Sequence, residues 1–227
     1  MENKTPHIAL VLFGGSGLRF GSDIPKQFVT LIDKPLIEET LSALEDCPSV
    51  DEVHLVTRAE DQEKTKEIAS RFPKVKGIYE GGKTRQDSAR LGLLALQGKI
   101  PEDALVAIMD GDRPCIEEEL LKQNYEKAAE LGACVTVSSC SNSVLLSKDG
   151  EKVSSYLNRD EVYLVATPQT FSYGAILKSH LEAKEGHTDD ASLFQGPVAL
   201  LKWDKQNVKI TTKEDVEAFK QWKTRRK

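Results

Sequence analysis

Apolar and polar positions come in alternating blocks along this chain. Residues 8–13 (IALVLF) are an unbroken apolar run, and 50–57, 75–80, 104–110 and 133–139 are further short runs of strand character. Between them the period lengthens. In 35–47 Leu36, Ile37, Leu41 and Leu44 fall at helical spacing, with Pro35 at the first position, where its missing N–H leaves nothing unpaired. Residues 59–72, 84–97 and 117–131 also predict helices, the second turning Leu91, Leu94 and Leu96 inward and the third opening on acidic residues that suit its dipole. Strands alternating with helices predict an α/β chain, a three-layer α/β/α Rossmann-like sandwich around a mostly parallel sheet. Such sheets bind ligands at the carboxyl ends of their strands, which brings the loops after 8–13, 75–80 and 104–110 to one rim.

One stretch breaks the alternation. Residues 141–159 carry two short β-like runs around KDGE, a hairpin turn signal, and are too polar for the sheet interior. They predict a β-arm, over 139–160, projecting as a lid or an oligomerisation element. The tail predicts two more strands, the second at 207–212 (NVKITT) with Lys209 on it. A last helix follows, N-capped by Thr212 with Asp215 in the capping-box position. Residues 186–194 read as a helix start. No linker interrupts 1–227, which reads as a single domain.

Composition narrows the class. With 227 residues, 39% hydrophobic, the chain can bury a large core, and a net charge of −5 disfavours a nucleic-acid partner. The basic run 223–227 suits the end of the last helix. Cys47, Cys115, Cys134 and Cys140 stand too far apart for metal-ligand spacing and read as reduced thiols. The first apolar run is too short for a signal peptide, and no stretch approaches the ~18 apolar residues of a membrane span. The expectation is a cytoplasmic protein without a membrane partner.

Three loops carry candidate chemistry. After 8–13 come glycines in the pattern GxGxxxG (Gly15, Gly17, Gly21), one residue longer than the dinucleotide fingerprint and without the GK[ST] of a Walker loop. Bare backbone there can still face oxyanions, and Arg19 and Lys26 add a bidentate and a mobile cation. In EGGKTRQDSARLGL, Gly82 backbone and the Ser88 hydroxyl suit a base edge, with Arg85 near a carbonyl or phosphate; a capped helix with a solvated arginine fits equally well. In AIMDGDRPCI, Asp110 ends a buried run and suits Mg²⁺, or a helix cap, or a pair with Arg113. Lys209 is costly to bury without an anion. His187 reads as a surface residue, and no GxSxG elbow supports a serine nucleophile.

Taken in order, GGSGLRFG…PKQF, GGKTRQDS, MDGDRPC, RDEVYLVATPQTF, TDDAS and NVKITT make the chain, from about residue 8 to 219, resemble the 2-C-methyl-D-erythritol 4-phosphate cytidylyltransferase family, of nucleotidyltransferase fold. The resemblance implies transfer from CTP to a polyol phosphate, with Mg²⁺ as cofactor and pyrophosphate released. It implies that Gly14, Gly15, Gly17, Arg19 and Lys26 form the triphosphate loop, that Gly82, Arg85 and Ser88 read the nucleoside, and that Asp110 holds the metal with Arg113 beside it. It places Thr167, Thr188, Lys209 and Thr211 on the polyol-phosphate side. It also implies a homodimer whose arm carries Ser143 and Arg159 to the neighbour's substrate. The catalytic cations would be Arg19, Lys26 and Lys209, steadying charge while a substrate phosphate attacks the α-phosphorus. The chain departs from the family's usual text where Gly14 and Gly15 follow Phe13, where Met109 and Asp112 replace a histidine and an alanine, and in the arm at 142–145. The last leaves ribitol 5-phosphate as an alternative polyol. A CTP-binding regulator and a dinucleotide dehydrogenase are the other readings.

Overall fold

The computed structural model describes residues 5–14, 20, 24–184 and 186–225. Its elements in chain order begin with β1 (His7–Phe13), α1 (Leu36–Glu45), β2 (Glu52–Thr57), α2 (Gln62–Ala69), β3 (Val75–Glu80) and α3 (Arg85–Ala95). They continue with β4 (Leu105–Asp110), α4 (Glu118–Leu131), β5 (Ala133–Ser139), β6 (Val144–Leu146), β7 (Ser155–Leu157) and β8 (Tyr163–Ser172). Then come α5 (Tyr173–Glu182), β9 (Ala199–Lys202) and α6 (Lys213–Thr224). Among the described residues seven strands form one sheet, ordered β3-β2-β1-β4-β8-β5-β9. The β1–β2, β2–β3, β1–β4 and β5–β9 pairs are parallel, whereas β8 runs antiparallel to both β4 and β5.

The unbroken apolar run of β1 is explained by burial on both faces. Successive side chains of a strand point to opposite sides. Ala9, Val11 and Phe13 therefore join Ile37, Leu41, Ile68 and Leu121 beneath α1, α2 and α4. Ile8, Leu10 and Leu12 join Ala89, Leu93, Phe171 and Ile176 beneath α3 and α5. Leu96, just past α3, is fully buried as expected, but within the helix Leu93 is the buried leucine and Leu91 and Leu94 are only partly buried. A third cluster packs Phe219 of α6 on Leu31, Leu36 and Ile210.

Strand β8 and helix α5 carry no sequence prediction, and the reason is physical. The buried half of β8 contains Thr167, Gln169 and Thr170, so it does not read as apolar. Its Pro168 further argues against a central strand. The register supplies the compensation. Val135 faces Gln169 and Thr136 faces Ala166, so Thr167 and Pro168 bulge out of the pairing with β5. The Thr136 hydroxyl donates to the freed Pro168 carbonyl at 2.7 Å, and Asn124 bonds both Thr136 and Thr170. The polar groups in mid-sheet are thereby satisfied.

Two other expectations are corrected. Residues 207–212 are irregular chain rather than a strand, pinned by the Ile210 N–H donating to the Asp112 carbonyl at 2.7 Å and by the fully buried Ile210 side chain. Residues 186–194 form turns, not a helix. The α6 capping box does form: Asp215 accepts the N–H groups of Thr211 and Thr212, each at 2.8 Å. The arm is a separate two-stranded hairpin of β6 and β7, in which Val144 faces Leu157 and Leu146 faces Ser155. The four cysteines form no disulfide, and Cys47, Cys115 and Cys134 are buried. Burial pushes the Cys47 and Cys134 thiols up to about 12, so neither is a ready nucleophile. Among the described residues no helix is long and apolar enough to cross a membrane.

Candidate active site

The carboxyl ends of β1, β3 and β4 open into one cavity of about 520 Å³. Leu12, Phe13 and Gly14 come from the end of β1. Gly82, Thr84, Arg85 and Ser88 come from the start of α3, Asp110 and Asp112 from the end of β4, and Lys26, Lys209 and Thr211 from the far wall. The shared rim expected from strand alternation is present.

Local sequence explains how each group is held. The PKQF stretch is a single 3₁₀ turn, Lys26–Phe28, entered from Pro25. Gln27 and Phe28 are buried, and the Gln27 amide donates to Asp61, itself gripped by Arg58, at 2.7 Å in both cases. Lys26 is left facing the cavity, its ammonium 2.5 Å from Asp112 Oδ2 and 2.7 Å from the Ile210 carbonyl. On the opposite wall Thr84 caps α3 through a complete capping box with Asp87. Gly82 admits no side chain there, because a Cβ would lie 2.3 Å from that of Asp87. The Gly82 N–H donates to the Ser88 hydroxyl at 3.1 Å, and that hydroxyl donates to the Thr84 carbonyl at 2.9 Å.

Asp110 is the electrostatic centre. Its Oδ1 accepts from Arg85 Nε at 3.0 Å, and its Oδ2 from Lys209 at 2.9 Å, with Arg113 Nε at 3.4 Å. Burial opposes ionisation, but Arg85 and Lys209 outweigh it and hold the Asp110 carboxyl well below the usual carboxylate range. The bulge in β8 contributes directly: it turns the Thr167 hydroxyl to accept the Asp110 N–H at 3.0 Å. The Thr167 carbonyl accepts from Asn207 at 2.9 Å, and the Asn207 carbonyl accepts from Arg113 at 2.8 Å, tying the irregular strap to the sheet.

The expected site residues that the structure describes fall into three groups. Gly14, Lys26, Gly82, Arg85, Ser88, Asp110, Lys209 and Thr211 line the cavity. Thr167 and Arg113 lie behind it, and Thr167, only 4% exposed, supports Asp110 rather than meeting solvent. Thr188, Ser143 and Arg159 are exposed and outside the cavity lining, with Arg159 reaching the Ser141 carbonyl at 3.3 Å. Gly15, Gly17 and Arg19 lie outside the described residues. Arg85 differs in one respect from its expected freedom to reach a nucleotide. Its guanidinium is occupied by Asp110 and, at 2.8 Å, by Asp190.

Sequence reasoning missed Gln169, His180, Asn207 and Asp190 as parts of the site. Gln169, Asp190 and Asn207 lay inside the motifs VATPQTF, TDDAS and NVKITT without a role of their own, and His180 carried no signal. Asp112 was noted but not its partner. Its Oδ2 pairs with Lys26, while its buried Oδ1 has no hydrogen-bond partner among the described residues and lies 3.9 Å from the Lys209 ammonium.

A cationic cavity at the carboxyl edge of such a sheet suits a nucleotide, and comparison with known proteins agrees. A family profile described as 2-C-methyl-D-erythritol 4-phosphate cytidylyltransferase matches residues 7–221. The chain is 40% identical to the enzyme of that name from Geotalea uraniireducens, across 93% of this chain and 95% of the other. It is 34% identical to that from Thermosipho africanus, across 92% and 94%. Among solved structures, the 4-diphosphocytidyl-2C-methyl-D-erythritol synthase of Anaerococcus prevotii superposes with a TM-score of 0.82 at 28% identity, covering 96% of both chains. On fold, cavity and sequence together, the chain belongs to the 2-C-methyl-D-erythritol 4-phosphate cytidylyltransferase family.

Proposed function

We infer that the cavity is where the family's reaction proceeds: CTP and 2-C-methyl-D-erythritol 4-phosphate give the CDP-alcohol and pyrophosphate, a step toward isoprenoid precursors. As a member of the family the protein is a nucleotidyltransferase. The observation that carries the reading is the convergence of Lys26 and Lys209 on one cavity beside Asp110. A phosphate oxygen of the polyol attacks the α-phosphorus of CTP, a new P–O bond forms, and the bond to pyrophosphate breaks. The nucleophile is already anionic, so the residues have to bring two anions together and steady the charge on the α-phosphoryl oxygens. Lys26 and Lys209 suit that task, and the family resemblance implies Arg19, in the glycine-rich sequence with Gly15 and Gly17, as a third cation. Gly14, Gly82 and Ser88 suit the nucleoside, with Gly82 and Ser88 exchanging their mutual hydrogen bond for bonds to the base.

The donor set fits a magnesium ion. Mg²⁺ takes one or two carboxylates and completes its shell with phosphates and water. Asp110 and Asp112 stand together at the end of β4, and Asp112 presents a buried oxygen without a hydrogen-bond partner among the described residues. Bound there, the ion would neutralise triphosphate charge. Thr211 and Lys209 face the side left for the polyol phosphate, with Arg113 behind them.

The hairpin supports a homodimer as the working form. Leu145, Leu146, Val153 and Tyr156 are exposed on it, and Leu164 and Val165 are exposed near the start of β8. Exposed apolar side chains of this kind suit contact with a second copy. A second copy would bring Ser143 and Arg159, and with them the arm, to the polyol side of its neighbour, leaving Thr188 at the rim. The expected result is a dimeric mass in sedimentation at micromolar concentration, shifted toward monomer, with loss of turnover, by Leu164→Asp. A fully active monomer would remove the arm from the site. The reduced thiols suit a cytoplasmic location.

The substrate is tested by following pyrophosphate release from CTP with a panel of polyol phosphates. Methylerythritol 4-phosphate is expected to turn over at least about 100-fold faster than ribitol 5-phosphate, the scale on which a pocket separates substrates that differ by a methyl or a hydroxyl group. Preference for ribitol 5-phosphate would reassign the polyol, and CTP binding without release would point to a regulator.

A further inference from the structure

A line of polar groups runs behind the cavity wall from α5 to Asp110. His180 Nε2 lies 3.1 Å from Asp190 Oδ1. Asp190 Oδ2 accepts from Arg85 Nη1 at 2.8 Å, and Arg85 Nε donates to Asp110 Oδ1 at 3.0 Å. The His180 and Asp190 side chains are 0% and 1% exposed, so neither can meet a nucleotide or a polyol. The backbone of Asp190 is fixed as well: its N–H and that of Ala191 donate to the buried Gln169 Oε1 of β8 at 3.1 and 2.9 Å.

Packing alone does not account for this arrangement. A buried ion pair is often matched or bettered in stability by apolar groups of similar volume, so stability does not call for a charge at 190. Geometry offers a better account. A guanidinium whose two edges meet two different carboxylates is fixed in plane and direction. Without Asp190, Arg85 would be free to grip Asp110 with both edges or to swing into the cavity. Either change would move the one carboxylate that Lys209 and Arg113 also share.

We propose that Asp190, backed by His180 and seated by Gln169, is a positioning residue for nucleotidyl transfer, holding Arg85 so that Asp110 keeps its second oxygen toward Lys209 and the cavity. The proposal rests on the family reading above. Asp190→Asn keeps the shape and removes the charge; His180→Gln removes the backing partner and serves if the first variant does not fold. Each folded variant, checked by circular dichroism and melting temperature, is expected to lose roughly tenfold to a hundredfold in kcat per active site, the scale of a displaced positioning group. KM for CTP should stay within about threefold, because Lys26, Gly82 and Ser88 keep supports that do not pass through Asp190. In an Arg85→Lys background the same substitutions should cost less than about twofold more, since their effect passes through Arg85. Wild-type kcat in a folded variant, or an undiminished further loss in the Arg85→Lys background, would overturn the proposal. Failure of the wild-type protein to release pyrophosphate would instead overturn the family reading.

Discussion

Lys26→Ala lowers kcat at least roughly a hundredfold, the scale for losing one group that stabilises transition-state charge. The size of the effect follows from how firmly the ammonium is placed. Gln27 and Phe28, its neighbours in the turn, are buried, and Gln27 is tied to Asp61. Lys26 therefore projects from an anchored turn, with Asp112 and the Ile210 carbonyl holding its end. A triphosphate carries more charge than one carboxylate, so it draws the ammonium from Asp112 without reorganising the backbone. Lys26→Arg is not expected to restore turnover fully, because a planar fork does not replace a point charge in so tight a corner. Pyrophosphate release under saturating CTP measures the effect, and turnover close to wild type in Lys26→Ala would remove this side chain from the mechanism.

Asp110→Asn is expected to be more damaging still, at about a thousandfold in kcat/KM, the upper end for one electrostatic group. The amide keeps the size of the carboxylate but leaves Arg85, Lys209 and Arg113 around a neutral group. Breaking a buried ion pair by removing one partner costs about 3–5 kcal/mol; Lys209 is partly open to solvent, which puts the stability loss at the lower end. The carboxyl is depressed in the folded protein, so its contribution is complete above the ordinary aspartate value of 3.8 and is lost as pH falls below it. Urea midpoints at neutral and acid pH test both parts: the variant should be less stable at pH 7 and should lose less stability on acidification. An Asn variant with wild-type stability and turnover would show that Asp110 organises nothing.

The fold was legible where one physical demand governed each segment. β1 must be apolar on both faces, and α1 must show one apolar stripe, so both could be read directly from the chain. β8 obeys several demands at once. Its Tyr163 end is exposed, its Phe171 end is core, and its middle must satisfy polar groups around Pro168. No single period survives that combination. The site divided in the same way. Lys26, Gly82, Arg85, Ser88 and Asp110 end strands or open helical turns, where rim chemistry is expected, and the cavity gathers them with Lys209 of the strap. Gln169 and His180 look like ordinary strand and helix positions, and only the assembled structure brings them to Asp190. The strap at 207–212 alternates like a strand but lacks a ladder, because its hydrogen bonds go to Asp112 and Asp215 instead.

The two unpaired residues of β8 also determine where this chain can change its length. Side chains in a strand switch sides with every residue, so deleting one position between Ala166 and Gln169 would turn the Thr167 hydroxyl away from the Asp110 amide and Gln169 away from the Asp190 turn together. The hairpin tip around Gly150, with its exposed backbone and local Asp149 bonds, has no such coupling. Insertions should accumulate at that tip, while the spacing from Ala166 to Gln169 stays invariant in every active descendant.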